Sequence, residues 1–525
     1  MNAAVARGSM AENPRPHLGS EPQVRWAVFL HALTPAHETC IGSGGVRNFT
    51  GQRKFERRAV FLQYVSRQRK IPRLSLRNNS VSAALGRVNA RQSEEYMQMA
   101  HGELSVARPG TGREELRSAF LETRAATLKI TAPLSAEDQQ VQSMPDASPA
   151  KWHLGHTSWF FDIFLLSRFS SPVAGPQLNH IFNSYYDTIG AQHPRARRGL
   201  ITRPSLDEVR AYRREVDAAI CGFLDVASDP EWNAAAPLLK LGIQHEQQHQ
   251  ELILMDIKHL LFSNPGRPSY LPEYPSGACM LAARRQAPWL EFKEALVNIG
   301  ASQEGFAFDN ERPRHKAWTH AFRIGRHLVT CGDWLAFMEA GGYERPEFWL
   351  SEGWAIAQAE GWRAPLYWSM QAPGRWTQFT LTGEREVRPR EPVCHVSYYE
   401  ADAFARWAGA RLPTEQEWER AAGEVWPEKG TSLHPMPEPA AAGPGPQQVF
   451  GAVWQWTASA YGPYPGFRPL EGAAGEYNGK FMSGQMVLRG SACVTPPGHA
   501  RLTYRNFYPP AARWAFSGVR LASDV

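Results

Sequence analysis

The sequence predicts an α+β chain with more than one domain: a four-helix bundle, then a larger part of short strands, short helices and loops. Three observations carry that expectation. At 525 residues the chain has room for two or three domains. Residues 113–265 contain long segments, each nearly free of Gly and Pro, with apolar side chains at helical spacing. From about residue 266 the grammar changes: Gly, Pro and Trp become dense and helical patterns shorten.

The first 110 residues read as a basic leader with little order. Residues 1–95 hold thirteen Arg and two Lys against six Glu and no Asp, so the net charge of +6 belongs to the leader and the rest of the chain is mildly acidic. An Arg-rich, acid-poor start fits an organellar transit peptide, a basic tail for a polyanion, or a stretch outside the functional protein, since Met97 and Met99 offer later starts. The last is the expectation adopted here. The body gives no case for nucleic-acid binding. No run reaches the ~18 apolar residues of a membrane span. The six Cys are scattered without a CxxC pair, which fits a reduced cytoplasm.

Four helices are expected over residues 113–265. Residues 113–130 place Leu116, Phe120, Leu121 and Ala125 on one face. Residues 151–169 carry Trp152, His156, Trp159, Phe160 and Phe164. Ser205 and Glu208 form a capping box ahead of a helix through Val209, Tyr212, Val216, Ile220 and Phe223. The fourth spans residues 238–261. The long link between the second and third holds Tyr185, Tyr186 and a basic cluster of Arg195, Arg197 and Arg198. In the C-terminal part, helices are expected at 332–340, 397–409 and 414–422, strands at 486–490 and 518–521, and a flexible insertion at 426–449.

The fourth helix contains the most informative heptapeptide, His245-Glu246-Gln247-Gln248-His249-Gln250-Glu251. Residues four apart share a helix face, so His245 and His249 can grip one metal ion. A third ligand must come from elsewhere, and His156 in Lys151-Trp152-His153-Leu154-Gly155-His156 is the best donor. The same letters match the H-E-x-x-H pattern of zinc peptidases, which stands as a rival.

A further set of motifs carries a family resemblance. It comprises Phe308-Asp309-Asn310-Glu311-Arg312-Pro313-Arg314-His315, Arg411-Leu412-Pro413-Thr414-Glu415-Gln416-Glu417-Trp418-Glu419, Val453-Trp454-Gln455-Trp456-Thr457, Leu488-Arg489-Gly490-Ser491, Tyr504-Arg505-Asn506-Phe507 and Gly518-Val519-Arg520-Leu521. These resemble the formylglycine-generating-enzyme-like domain, a C-type-lectin-related fold, here over residues 290–525. The helical part, residues 113–265, resembles the DinB-like bundle. In this order the two resemble the ergothioneine-type sulfoxide synthases and the related selenoneine synthases.

That resemblance implies a non-heme Fe(II) enzyme using dioxygen to join sulfur or selenium to C2 of the hercynine imidazole. It implies His156, His245 and His249 as iron ligands, Gln248 near the hercynine imidazole, and Asn506 near its betaine. Tyr185 and Tyr186 resemble the paired tyrosines of one family branch, where a phenol donates a proton or hydrogen bond. The tyrosine that another branch carries after Pro-Gly-Phe is absent, since Arg468-Pro469-Leu470 follows Pro465-Gly466-Phe467. Arg195 and Arg198 can clamp an anionic group of the chalcogen donor. Trp454, Trp456, Tyr504, Phe507 and Trp514 suit a trimethylammonium group.

Three departures from the sulfur branch favour a selenosugar as donor over cysteine or γ-glutamylcysteine. Ser483 follows Asn478-Gly479-Lys480-Phe481-Met482 where a Cys is expected. Gly490-Ser491-Ala492-Cys493 replaces Gly-Gly-Ser-Cys, and Gln455 replaces a Glu. The rivals are a zinc-dependent DinB-like thiol transferase or hydrolase, a formylglycine-generating oxidase using Cys394 and Cys493, and a lectin-like binding module.

Overall fold

Apolar periodicity and helix caps build the first half of the molecule. The computed structural model describes residues 112–271, 289–423, 425, 432–437 and 445–525. The basic leader and most of the expected insertion at 426–449 therefore lie outside the described residues. Helix α1 is Arg113–Thr131, with Leu116 and Phe120 buried. Helix α2, Ala150–Phe161, is buried along its whole length and runs on into a π-helical segment, Asp162–Leu166. Asp162 lies in that widened turn. Its carboxylate accepts from the backbone N–H of Val173 and Ala174 and from the Tyr212 hydroxyl, which folds the chain back after the helix.

The long link is more ordered than its composition suggests. It contains α3, Pro176–Phe182, started by a Pro at the N-terminal turn where its missing N–H costs nothing. Helix α4, Leu206–Val226, begins at the expected capping box of Ser205 and Glu208. Helix α5, Asp229–Ser263, is longer than expected at its N-terminal end. Pro237 suggested a start at residue 238. The helix instead starts from a second capping box, Ser228 with Glu231, and runs through the proline.

Two glycines let α2 make close contacts. A Cβ at Gly242 of α5 would meet the Phe161 ring at 2.3 Å, and one at Gly155 would meet the Phe182 ring at 2.2 Å. Hence α5 packs directly on α2, and the end of α3 lies against the middle of α2.

Among the described residues the second half has four small sheets. The strands are β1 Trp289–Phe292, β2 Ala295–Ile299, β3 His315–Thr319, β4 Phe322–Gly325, β5 Trp368–Ala372, β6 Arg375–Thr380, β7 Gly383–Glu386, β8 Trp454–Ala460, β9 Met486–Gly490, β10 Asn506–Tyr508, β11 Ser517–Gly518 and β12 Ala522–Asp524. The sheet orders are β1-β4-β12, β2-β3, β5-β6-β7 and β10-β9-β8-β11. Of the strand expected at 518–521, only Gly518 lies in one. Ser517 and Gly518 pair parallel with Trp454 and Gln455, whereas Ala522–Asp524 pairs with β4 in another sheet. Helices α6 Cys331–Glu339, α8 Tyr398–Trp407 and α9 Glu415–Ala422 match the expected ones, and α7 Ser351–Ala359 adds another.

One continuous apolar core joins the halves, running from Leu116 and Phe120 of α1 to Trp454, Trp456 and Val519. Among the described residues no helix is long and apolar enough to cross a membrane.

Candidate metal centre

The heptapeptide on α5 points three ways, as its helical spacing requires. Glu246 and Gln250 face α1: the Gln250 amide donates to the Thr123 carbonyl and the Thr127 hydroxyl, both at 3.0 Å. Gln244, Gln248 and Glu251 face the strand-rich half. His245 and His249 face α2.

Glu246 is fully committed to the bundle. Its carboxylate accepts from Arg124 Nη1 at 2.9 Å, from Thr127 Oγ1 at 2.6 Å and from Arg213. Although burial opposes its charge, Arg124 and Arg213 hold it well below the usual carboxylate range, at about 2. A carboxylate so neutralised and turned away from the histidines cannot serve as the general base that the peptidase pattern needs.

His156, His245 and His249 come together as expected. One ring nitrogen from each lies within 4.8 Å of the others, and among the described residues this is the group of His, Cys, Asp or Glu able to hold a metal ion. His156 Nε2 and His245 Nε2 face each other at 3.2 Å. His156 Nδ1 donates to the Phe182 carbonyl at 2.6 Å, which leaves its Nε2 bare for an ion. The His245 Nδ1 is buried without a partner, and its ring stacks on Phe160 at 4.2 Å. Burial lowers all three pKa values, that of His245 to about 3, so the rings are neutral. Three converging neutral imidazoles fit a borderline divalent ion such as Fe(II) or Zn(II).

Around this trio the basic link takes its place. The Trp152 ring stacks on His156 at 4.6 Å and 11°, and the Arg198 guanidinium lies 3.4 Å from the Trp152 centroid. Arg198 is buried and donates to Ser148 Oγ at 2.9 Å. Arg195 is exposed and donates to the Asp146 carbonyl. The two arginines are thus separated in role: one is packed beside the histidines, the other lies at the rim. Tyr186 is sealed against Trp159, Phe164 and the Tyr185 ring, and burial pushes both phenols up, so they stay protonated.

The strand-rich half closes the site, in part with residues that the sequence did not single out. Tyr477 lies 5.6 Å from the His245 ring, stacks on Phe308 and donates to Gln248 Oε1. Gln248 Nε2 donates to the Tyr504 hydroxyl at 3.0 Å, which also contacts His499 Nε2 at 3.1 Å. Glu251 accepts from Trp454 Nε1 at 2.6 Å and Thr495 Oγ1 at 2.5 Å. Glu476 accepts from the backbone N–H of Asp187 and Thr188, each at 3.0 Å, and Lys480 bonds the Tyr185 carbonyl, so both clip the tyrosine loop to the other half. The only sequence signal for Glu476 and Tyr477 was their place just before Asn478-Gly479-Lys480-Phe481-Met482, which holds Lys480, while Glu251 closes the heptapeptide.

Other expected site residues are placed differently. Asn506 opens β10 opposite Leu488, and its side-chain oxygen accepts from the Phe507 N–H at 2.9 Å. Of the aromatic set, Trp454 and Tyr504 reach the junction with α5. Trp456 is core, its indole donating to the Val396 carbonyl, while Phe507 stacks on Tyr461 and Trp514 packs on Tyr508. Gln455 is fixed in the core, where its oxygen accepts from Trp418 Nε1 at 2.7 Å and Arg520 Nε at 2.8 Å. The departure at Gln455 therefore lies in the core, on Trp418 and Arg520. Cys394 and Cys493 are buried, and burial pushes their thiols up, that of Cys394 to about 12. Burial therefore disfavours the thiolate at both, which argues against the formylglycine-generating rival.

Comparison with known proteins agrees with this division. The DinB superfamily matches residues 119–253, and the Sulfatase-modifying factor enzyme 1-like domain matches residues 290–434. The chain is 33% identical over 447 residues to the hercynine oxygenase of Mycolicibacterium thermoresistibile, covering 79% of this chain and 95% of that protein. It is 33% identical over 442 residues to the hercynine oxygenase of Mycobacterium tuberculosis, covering 79% of this chain and 100% of that protein. The ergothioneine biosynthesis protein 1 of Schizosaccharomyces pombe is 25% identical over 234 residues, 42% of this chain and 28% of that protein.

Proposed function

The chain belongs to the hercynine oxygenase family, the ergothioneine-type sulfoxide synthases, and from that premise we propose that it is a non-heme Fe(II), dioxygen-dependent synthase joining selenium or sulfur to C2 of the hercynine imidazole. Of the two donors, the selenosugar is placed first and a thiol such as cysteine or γ-glutamylcysteine second. Residues 113–265 hold the ion and residues 290–525 complete the hercynine pocket, in a cytoplasmic enzyme. The observation that carries this reading is the convergence of His156, His245 and His249 beside Gln248, at the seam between the two halves.

The three imidazoles would hold Fe(II). When bound, the ion supplies the one-electron chemistry of dioxygen that side chains lack and leaves positions open for a soft selenolate or thiolate. The chain's own groups do the rest. The Gln248 amide spends one N–H on Tyr504 and one lone pair on Tyr477. Its second N–H and second lone pair remain for the hercynine imidazole. The faces of Trp454 and Tyr504, 5.2 Å apart, suit the trimethylammonium group, and Asn506 its carboxylate. Tyr185, held by Lys480 at the seam, donates a proton, and Tyr186 positions it by packing. Arg195 at the rim and Arg198 beneath it supply positive charge for an anionic donor.

The departures at Ser483 and Gly490-Ser491-Ala492-Cys493 support the order of donors. The second segment leads into Thr495, which bonds Glu251 of α5. Anaerobic loading with Fe(II), then air with hercynine and equal selenosugar, cysteine and γ-glutamylcysteine, tests this, with products read by mass spectrometry. A seleno-adduct in excess is expected. A dominant sulfoxide adduct would move the protein to the sulfur branch.

A zinc-dependent thiol transferase or hydrolase remains a second reading for one reason: three neutral imidazoles with open positions suit Zn(II) as well.

A further inference from the structure

His153 was not among the expected ligands, yet it is buried between one of them and a carboxylate. Its Nδ1 lies 2.7 Å from His249 Nδ1, and its Nε2 lies 3.1 Å from Asp256 Oδ2. That same carboxylate oxygen accepts from the backbone N–H of Ser148 at 2.8 Å, so Asp256 is itself anchored. Asp256 lies two helical turns beyond His249 on α5, and His153 lies one turn before His156 on α2. The relay therefore ties the two metal-bearing helices together behind the imidazole trio.

We infer that His153 and Asp256 are positioning residues that set the tautomer of His249 and present its Nε2 to the ion. The inference rests on the reading of His156, His245 and His249 as ligands. Its logic is donor and acceptor capacity. A carboxylate only accepts, so the His153 proton sits on Nε2, facing Asp256. The Nδ1 of that tautomer is bare and can only accept. His249 must then carry its proton on Nδ1, which leaves its Nε2 lone pair for a metal. His156 reaches the same state by a different route, through the Phe182 carbonyl. Partners behind a ligating imidazole orient the ring and raise its basicity, and losing one typically costs about 10–100-fold in metal affinity.

Two substitutions separate this from a packing role. His153→Phe keeps a buried ring and removes the acceptor. Asp256→Leu keeps a similar volume and removes the acceptor that fixes the His153 proton on Nε2, so the relay no longer sets the His249 tautomer. Cobalt(II) titration of the full-length protein, followed by the visible absorption of the bound ion, is expected to give affinities about 10–100-fold weaker for both. His153→Asn, whose amide oxygen can accept from His249, is expected to recover most of the loss. Nitrogen NMR of labelled histidines in the metal-free protein adds a reading independent of folding differences: His249 is expected as the Nδ1–H tautomer in the unmutated chain. Wild-type cobalt affinity in both H153F and D256L, or an Nε2–H tautomer at His249, would overturn the inference. An unmutated protein that binds no cobalt would overturn the ligand reading instead, and the NMR result would still decide the relay.

Discussion

The Gln248 side chain donates to the Tyr504 hydroxyl at 3.0 Å, so the helix carrying two of the three histidines is fastened to the strand-rich half at a point between those histidines. The residue that the family resemblance places against the hercynine imidazole is therefore also a structural rivet. In the proposed reading, substrate binding and the closure of the two halves share one amide.

Removing that amide separates substrate binding from metal binding. Gln248→Leu is expected to raise the hercynine KM by about 10–100-fold, since the N–H and lone pair proposed to meet the hercynine imidazole are lost, at about 1 kcal/mol each. The Fe(II) or cobalt affinity should stay within about threefold of wild type, because the three imidazoles keep their partners. Steady-state kinetics and a metal titration on the same preparation check both halves of the expectation.

Glu246 is expected to behave as a stability residue. Glu246→Gln leaves Arg124 and Arg213 buried without their shared carboxylate, and breaking such a buried pair costs about 3–5 kcal/mol. Denaturant unfolding should report that loss. The protein that remains folded should keep its turnover number, contrary to a peptidase in which this Glu is the base.

Gly155 tests the contact between α2 and α3. A Cβ there would meet the Phe182 ring at 2.2 Å. Overpacking of this kind costs about 1–3 kcal/mol. Because Phe182 also supplies the carbonyl that accepts from His156, Gly155→Ala is expected to weaken metal affinity as well as lower the midpoint of unfolding. A titration of the purified variant with cobalt measures the first and thermal melting the second.

The clip on the tyrosine loop has a defined pH dependence. Glu476 is held at about 2 by its bonds to Thr188, Lys480 and Asp187, against the opposing effect of burial. A carboxylate whose folded pKa is depressed stabilises above its unfolded value of about 4.3 and loses that contribution as pH falls toward the folded value. The stability difference between the wild type and Glu476→Gln is therefore expected to be constant above about pH 5 and to shrink as pH falls toward 2. At neutral pH, chymotrypsin should cut the variant faster at Tyr185 and Tyr186.

The fold class and the pairing of the histidines on one helix face were both legible, for physical reasons. His245 and His249 announce themselves because a helix places residues four apart on one face, and Ser205 with Glu208 marks a helix start by mutual capping. His153 shares a peptide with His156, but no spacing rule reveals that its ring meets His249 and Asp256 from another helix. Tyr477 and Glu476 are likewise brought in by long-range packing. The start of α5 was misplaced because Pro237 reads as a break, while a long helix packed on both sides tolerates it. Gly518–Leu521 misled because the chain there crosses from one sheet to another: β11 ends at Gly518 and β12 begins at Ala522.

The most direct test is oxygen uptake. The protein is loaded anaerobically with Fe(II) or, in parallel, with Zn(II), then exposed to a known oxygen concentration with hercynine and a selenosugar or thiol donor. Uptake is expected only with Fe(II), hercynine and donor together, and it should vanish in His245→Ala. No uptake by the iron-loaded protein, or equal product from the zinc-loaded one, would contradict the assignment of this centre as an oxygen-using iron site.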